Sequence, residues 1–216
     1  EAGTNKKTED VGNEAGTNKK TEEVETVSGF VSLKTGQQNL LPTALARLVH
    51  EGKELVVRVL FDSGSEETFV CSWVIDSLGL KKKNGATSMK INMLGGETQK
   101  KKVHRVAFQL APLLTTEEME SIHVEAWTVK NVCVPLDEVK FDLKQCTHLR
   151  NLKFAEKFPR AKATVDVLIG IDQYHKFVGD ITKRGTPGTP VATSSVLGWL
   201  VSGPVPGSER KNIKIT

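Results

Sequence analysis

Val57-Arg58-Val59-Leu60-Phe61-Asp62-Ser63-Gly64-Ser65 decides how this chain is read. Its first five residues are almost wholly apolar, the pattern of a strand buried on both faces. The run ends abruptly in an Asp-Ser-Gly turn, which places one carboxylate at the tip of a rigid strand. Ordinary turns also favour this triplet, because Asp and Ser bond their own backbone and Gly accepts positive φ. Here the triplet follows a buried strand and not a polar loop. A second apolar stretch, Val165 to Gly170 (VDVLIG), lies downstream and is placed to support the turn from beneath.

A carboxylate held this way suits hydrolysis by a carboxylate pair. Two such groups in contact cannot both ionise, so one acts as a base on water while the other, protonated, polarises a carbonyl. Asp62 lies in the single Asp-Ser/Thr-Gly triplet of the chain. The pair therefore requires two copies of the chain, a symmetric homodimer. Gly64 lets the backbone approach the carboxylates closely. Ser63 and Ser65 can donate hydrogen bonds to neighbouring carboxylate or main-chain oxygens.

Outward from this centre the chain reads as mainly β. Strands are expected over residues 27–34, 41–49, 54–61, 88–94, 101–110, 122–134, 165–170 and 196–202, with an extended stretch at 68–70. Gly95-Gly96 between two of them marks a hairpin turn, and such a hairpin can fold over a cleft as a mobile lid. Short helices are expected at 71–80, with Trp73, Val74 and Leu78 inward and Gly79 as stop, at 171–178, and near 147–157. Residues 182–195 read as a Gly/Pro/Thr loop.

Composition sets the limits. Residues 1–26 carry a thirteen-residue repeat, Glu1 to Thr8 returning as Glu14 to Thr21, in a polar tract that cannot bury enough apolar surface to order itself. They read as a disordered leader. The folded domain is expected over residues 27–205, with 206–216 as a tail or linker. The leader holds seven acids and four lysines, net −3, so the rest of this +4 chain carries +7. Lys81-Lys82-Lys83 and Lys100-Lys101-Lys102 supply much of it. No aromatic residues interleave with them, so they read as solvated lysines and no nucleic-acid partner is expected.

Cys71, Cys133 and Cys146 are too few and scattered for a disulfide framework and fit a reducing compartment. An intracellular location is expected, in cytoplasm or particle. Cys146-Thr147-His148 has no CxxC partner, so neither a metal nor any cofactor is expected. No apolar run is long enough for a membrane helix. The histidines lack i,i+4 partners, and the serines lack a Gly-x-Ser-x-Gly frame. The chain starts at Glu1 without a methionine, which suggests a fragment or a piece of a polyprotein.

The ordered series Leu-Leu-Pro-Thr-Ala (40–44), Val57 to Ser65, Leu94-Gly95-Gly96, Val-Leu-Ile-Gly-Ile-Asp-Gln-Tyr (167–174) and Val-Leu-Gly-Trp-Leu-Val-Ser-Gly-Pro (196–204) resembles the retropepsin-like protease of BEL/Pao-type LTR retrotransposons. The resemblance covers about residues 28–205. It implies a closed β-barrel with a flap hairpin and an aspartic endopeptidase activity on an extended peptide, most naturally the element's own polyprotein. It assigns Asp62 as catalytic, Ser63 and Gly64 as its loop, Leu94, Gly95 and Gly96 as the flap tip, and Leu168, Ile169 and Gly170 as the strand behind the site. Asp172 matches an acidic position expected to be structural. Glu66 departs from the family, which has a neutral polar residue there. The alternative is a domesticated copy that dimerises or binds peptides without cutting.

Overall fold

Apolar runs that end in glycine turns organise the domain. The computed structural model describes residues 36–92, 98–113 and 121–210. Its strands, in chain order, are β1 (Gly36–Leu40), β2 (Thr43–His50), β3 (Lys53–Phe61), β4 (Phe69–Cys71), β5 (Lys83–Asn92), β6 (Thr98–Pro112), β7 (Ile122–Val129), β8 (Val167–Ile169), β9 (Val178–Lys183), β10 (Val191–Ser195) and β11 (Leu200–Arg210). Helix α1 (Ser72–Leu78) follows β4, and α2 (Ile171–Tyr174) follows β8. The class is mainly β, as expected.

β2 and β3 form a hairpin through Glu51-Gly52, both at positive φ (46° and 78°). Such two-residue turns match the right-handed twist of paired strands. The larger sheet runs β2-β3-β8-β4-β7-β6-β5. A further β2–β6 pairing, Ala46 opposite Pro112 through Val49 opposite Gln109, returns the order on itself. Six strands thereby form a ring of pairings, with β5 outside it. β3 and β8 pair in parallel, and so do β4 and β7. The main core fills the ring, with Val59, Val70, Val106, Val124, Val167 and Leu168 fully buried.

A second, four-stranded sheet has the order β1-β11-β10-β9. Its apolar residues, among them Leu40, Ala192, Val201 and Val205, pack with Val139, Leu143, Cys146 and Leu149 into a separate cluster. The segment between β7 and β8 thus covers this sheet.

Several expectations need correction. Residues 182–195 are not a single loop: they hold the end of β9 and all of β10, strands largely half-buried or exposed and so lacking clear apolar alternation. The last strand does not occupy 196–202. Val196 and Leu197 form a turn, in which the Ser195 hydroxyl accepts from Leu197 N (3.2 Å) and donates to Gly198 O (2.5 Å). Strand β11 then runs to Arg210, so residues 206–210, read as tail, pair with β1. The helix near 147–157 is replaced by two 3-10 turns, Leu143–Gln145 and Thr147–Leu149, with Asn151 at φ 66° beyond them. Helix α2 ends at Tyr174, four residues short of expectation. Strand β7 stops at Val129 and not at 134. Trp73, expected inward, is 44% exposed, whereas Gly79 does cap α1 in the left-handed conformation (φ 70°). The strand expected at 27–34 lies outside the described residues.

Candidate active site

The site is built where β3, β4 and β8 converge. β3 ends at Phe61, whose ring meets Tyr174 and Phe177 edge-on. Asp62 N donates to Ile169 O (3.0 Å), continuing the β3–β8 ladder by one bond. The chain then turns: Ser65 N donates to Asp62 O (3.1 Å), and Gly64 N donates to Asp62 Oδ1 (3.0 Å). Among the described residues this amide is the carboxylate's sole hydrogen-bond partner. Asp62 is half-buried, and Ser63 and Gly64 are exposed. The strand tip therefore presents a carboxylate to the surface with its main chain fixed.

Gly170 sits against the back of the turn. A Cβ there would collide with the main-chain carbonyl of Glu67 and come within 2.9 Å of Ser65 O. Backbone on both sides leaves no room, so glycine is required by close approach and not by its φ. Ile171 N donates to Ser65 O (2.8 Å), and Ser65 Oγ donates to Glu67 O (2.8 Å). The Ser65 hydroxyl thus serves the main chain and not the Asp62 carboxylate.

Thr68 completes the brace. It is fully buried; its Oγ1 accepts from Gly170 N (3.1 Å) and donates to Asp172 Oδ1 (2.7 Å). One hydroxyl therefore ties β4 to the end of β8 and the start of α2. Asp172 has the structural contact that its position suggested. Next to it, Gln173 Nε2 donates to Glu125 O (2.6 Å) on β7.

Of the residues singled out in the sequence, Asp62, Ser63, Gly64, Ser65, Ile169 and Gly170 come together here. Leu168 lies one position further inside, opposite both Leu60 and Phe69. Leu94, Gly95 and Gly96 lie outside the described residues, while the strands flanking them, β5 and β6, pair as an antiparallel hairpin. Glu66 is exposed.

Sequence reasoning missed three groups. Thr68 was taken only as extended chain; its signal is a lone hydroxyl opening an apolar triplet. Glu67 accepts from the Trp127 indole (3.0 Å), and the Arg105 guanidinium lies 5.2 Å from the centre of that ring. Asp166, just before β8, accepts from Arg58 N (2.7 Å). Burial pushes the Asp166 carboxyl above its ordinary range, and the Arg58 amide and charge offset part of that push. Burial also pushes the Cys133 thiol up to about 12, reinforced by Cys71, Asp62 and Asp166, and Cys71 up to about 11. Both thiols stay protonated at neutral pH and are poor nucleophiles.

An aspartyl protease family model matches residues 46–172, more than half of the chain. The chain belongs to the aspartyl protease family. Comparison with curated proteins and with solved structures returned no match. The family match begins inside β2, takes in the turn at Asp62, the β5–β6 hairpin and β8, and ends at Asp172 in α2. It thus covers the ring from the middle of β2 onward and stops before β9, β10 and β11. At the level of the family, the chain is an aspartic-type peptidase.

Proposed function

We propose that the chain is an aspartic endopeptidase that works as a symmetric homodimer, each copy supplying Asp62. One observation carries this reading. The carboxylate stands at the braced tip of a buried strand, within the family match, with no second carboxylate hydrogen-bonded to it among the described residues. A two-fold axis beside Asp62 would bring two such turns face to face and complete the pair.

The chemistry follows from that pairing. The two carboxyls share one proton. The ionised member takes a proton from water as the oxygen attacks the scissile carbonyl, and the protonated member gives its proton to the carbonyl oxygen. Collapse of the tetrahedral intermediate returns a proton to the leaving amine. The braces through Ile169, Gly170 and Thr68 hold both turns in register, so little reorganisation accompanies the transfer.

The substrate in this proposal is an extended peptide, gripped by main-chain hydrogen bonds beneath the β5–β6 hairpin, and most naturally the polyprotein of a BEL/Pao-type retrotransposon. The motif series through Leu-Gly-Trp (197–199) supports this assignment. Three free, buried cysteines support an intracellular setting.

The experiment compares wild type with Asp62→Asn on a polyprotein segment at mildly acidic pH, with pepstatin as control. The wild type is expected to cleave, and Asp62→Asn to lose at least about a thousandfold in rate with an unchanged melting temperature. Cleavage that survives in Asp62→Asn overturns the mechanism. Absence of cleavage in both, with a dimer present by sedimentation, favours the non-cutting module.

A further inference from the structure

The lysine run at 100–102 was read from sequence as solvated side chains; the fold gives it a setting. β6 and β7 pair as far as Arg105 opposite Trp127. One step further, His104 N donates not to a main-chain carbonyl but to Thr128 Oγ1 (3.0 Å). Beyond that point β6 pairs only with β5, and the hairpin stem separates from the ring. The wedge between them is a cavity of about 400 Å³. Lys100, Lys101 and Lys102 line it from the stem, Thr128 from the end of β7, Lys130 from just beyond it, and Ser72 from the start of α1.

Three features of this region point to an anion. Its lining holds four lysines and no carboxylate. Lys100, Lys102 and Lys130 form no ion pair among the described residues, so no neighbouring carboxylate there offsets their charge. Moreover, Lys90 on β5 stands directly opposite Lys100 on β6. Like charges in directly opposed cross-strand positions are destabilising, and a bound anion removes that penalty.

We propose that this wedge is a binding site for closely spaced phosphate groups, separate from the Asp62 turn. Lysine ammonium groups act as mobile point charges that suit phosphate from several directions, and the Ser72 hydroxyl adds a donor. The volume exceeds the need of one phosphate, which favours a chain of them. Such groups occur in free polyphosphate and in a single-stranded nucleic-acid backbone. The occupant would touch both the hairpin stem and the ring, and so would bias the angle between them.

The test uses the full chain carrying Asp62→Asn, so the result does not depend on whether the protein cleaves peptides. Tripolyphosphate is titrated calorimetrically at low ionic strength into three proteins: this background, the same with Lys100→Gln, Lys102→Gln and Lys130→Gln, and a charge-matched control with Lys82→Gln, Lys144→Gln and Lys153→Gln. Affinity is expected to fall at least tenfold in the first triple variant and to stay within twofold in the control. Displacement by oligothymidylate, with a salt slope that falls by about 2 in the first triple variant, identifies a nucleic-acid backbone as the occupant. Tripolyphosphate binding that oligothymidylate does not displace identifies free polyphosphate. Equal losses in both triple variants, or no tripolyphosphate binding at low salt, overturn the proposal.

Discussion

The ring and the outer sheet use the same kind of strand for opposite purposes. β4 and β8 are buried at every position, because strands, a helix or the core surround them. β9 has no fully buried position, and its Ile181 is 58% exposed. A strand enclosed on both faces must be apolar throughout, while a strand at a sheet margin can be built from Thr, Ser, Gly and Lys. The ring therefore tolerates almost no change at its centre. The outer sheet depends on one apolar face and on the segment that covers it.

Five substitutions sharpen or break that contrast. The largest effect is expected for Gly170→Ala. The new methyl meets backbone on two sides, so the turn at Asp62 must shift, at a cost of about 3 kcal/mol or more in urea unfolding. A loss under about 1 kcal/mol would show that the turn is looser than its packing implies. Leu168→Ala in the ring and Leu149→Ala under the outer sheet should each cost about 3 kcal/mol, since both side chains are almost fully buried. One shared thermal transition is expected in both variants. Two separated transitions in Leu149→Ala would split the molecule into independent units and deepen the contrast.

Thr68→Val should cost about 2 kcal/mol by leaving Gly170 N and Asp172 without their partner, and should lower kcat more than it raises KM. A smaller effect belongs to Asp166. Its carboxyl titrates above the ordinary carboxylate range in the fold, so the protonated form is favoured there. The corresponding stability is complete below the unfolded carboxylate pKa and is lost as pH rises through the folded value. In Asp166→Asn that decline should vanish from melting curves recorded between acidic and neutral pH. A decline that persists unchanged assigns it to other groups.

These differences also explain what could be read before the fold was known. β3, the turn at Asp62, β8 and the two strands flanking Gly95-Gly96 announce themselves, since long apolar or alternating runs end in glycine. β9 and β10 were hidden because Thr182, Thr193, Ser194 and Ser195 resemble loop residues, and strands with at most one fully buried position show no apolar alternation. The segment from 130 to 166 was opaque for another reason. It is held by isolated bridges, Leu136 with Ala163 and Val139 with Arg160, and by the ion pair of half-buried Arg58 with buried Glu156 (2.7 Å). Such contacts join residues far apart and leave no local period. At the site, Asp62 was legible because a carboxylate after a buried strand is unusual. Thr68 was not, because its importance lies in two partners about a hundred residues away.

That separation bears on the order of events during synthesis. The main-chain bond from Asp62 to Ile169, the close fit of Gly170 and the grip of Thr68 on Asp172 all span roughly a hundred residues. Pairings of such high contact order form late and slowly. A ribosome that has made β2 to β7 has made the aspartate but none of these supports. The turn at Asp62 becomes rigid only after the chain has been extended past α2. Any cutting activity is thereby deferred until the domain that carries it is complete.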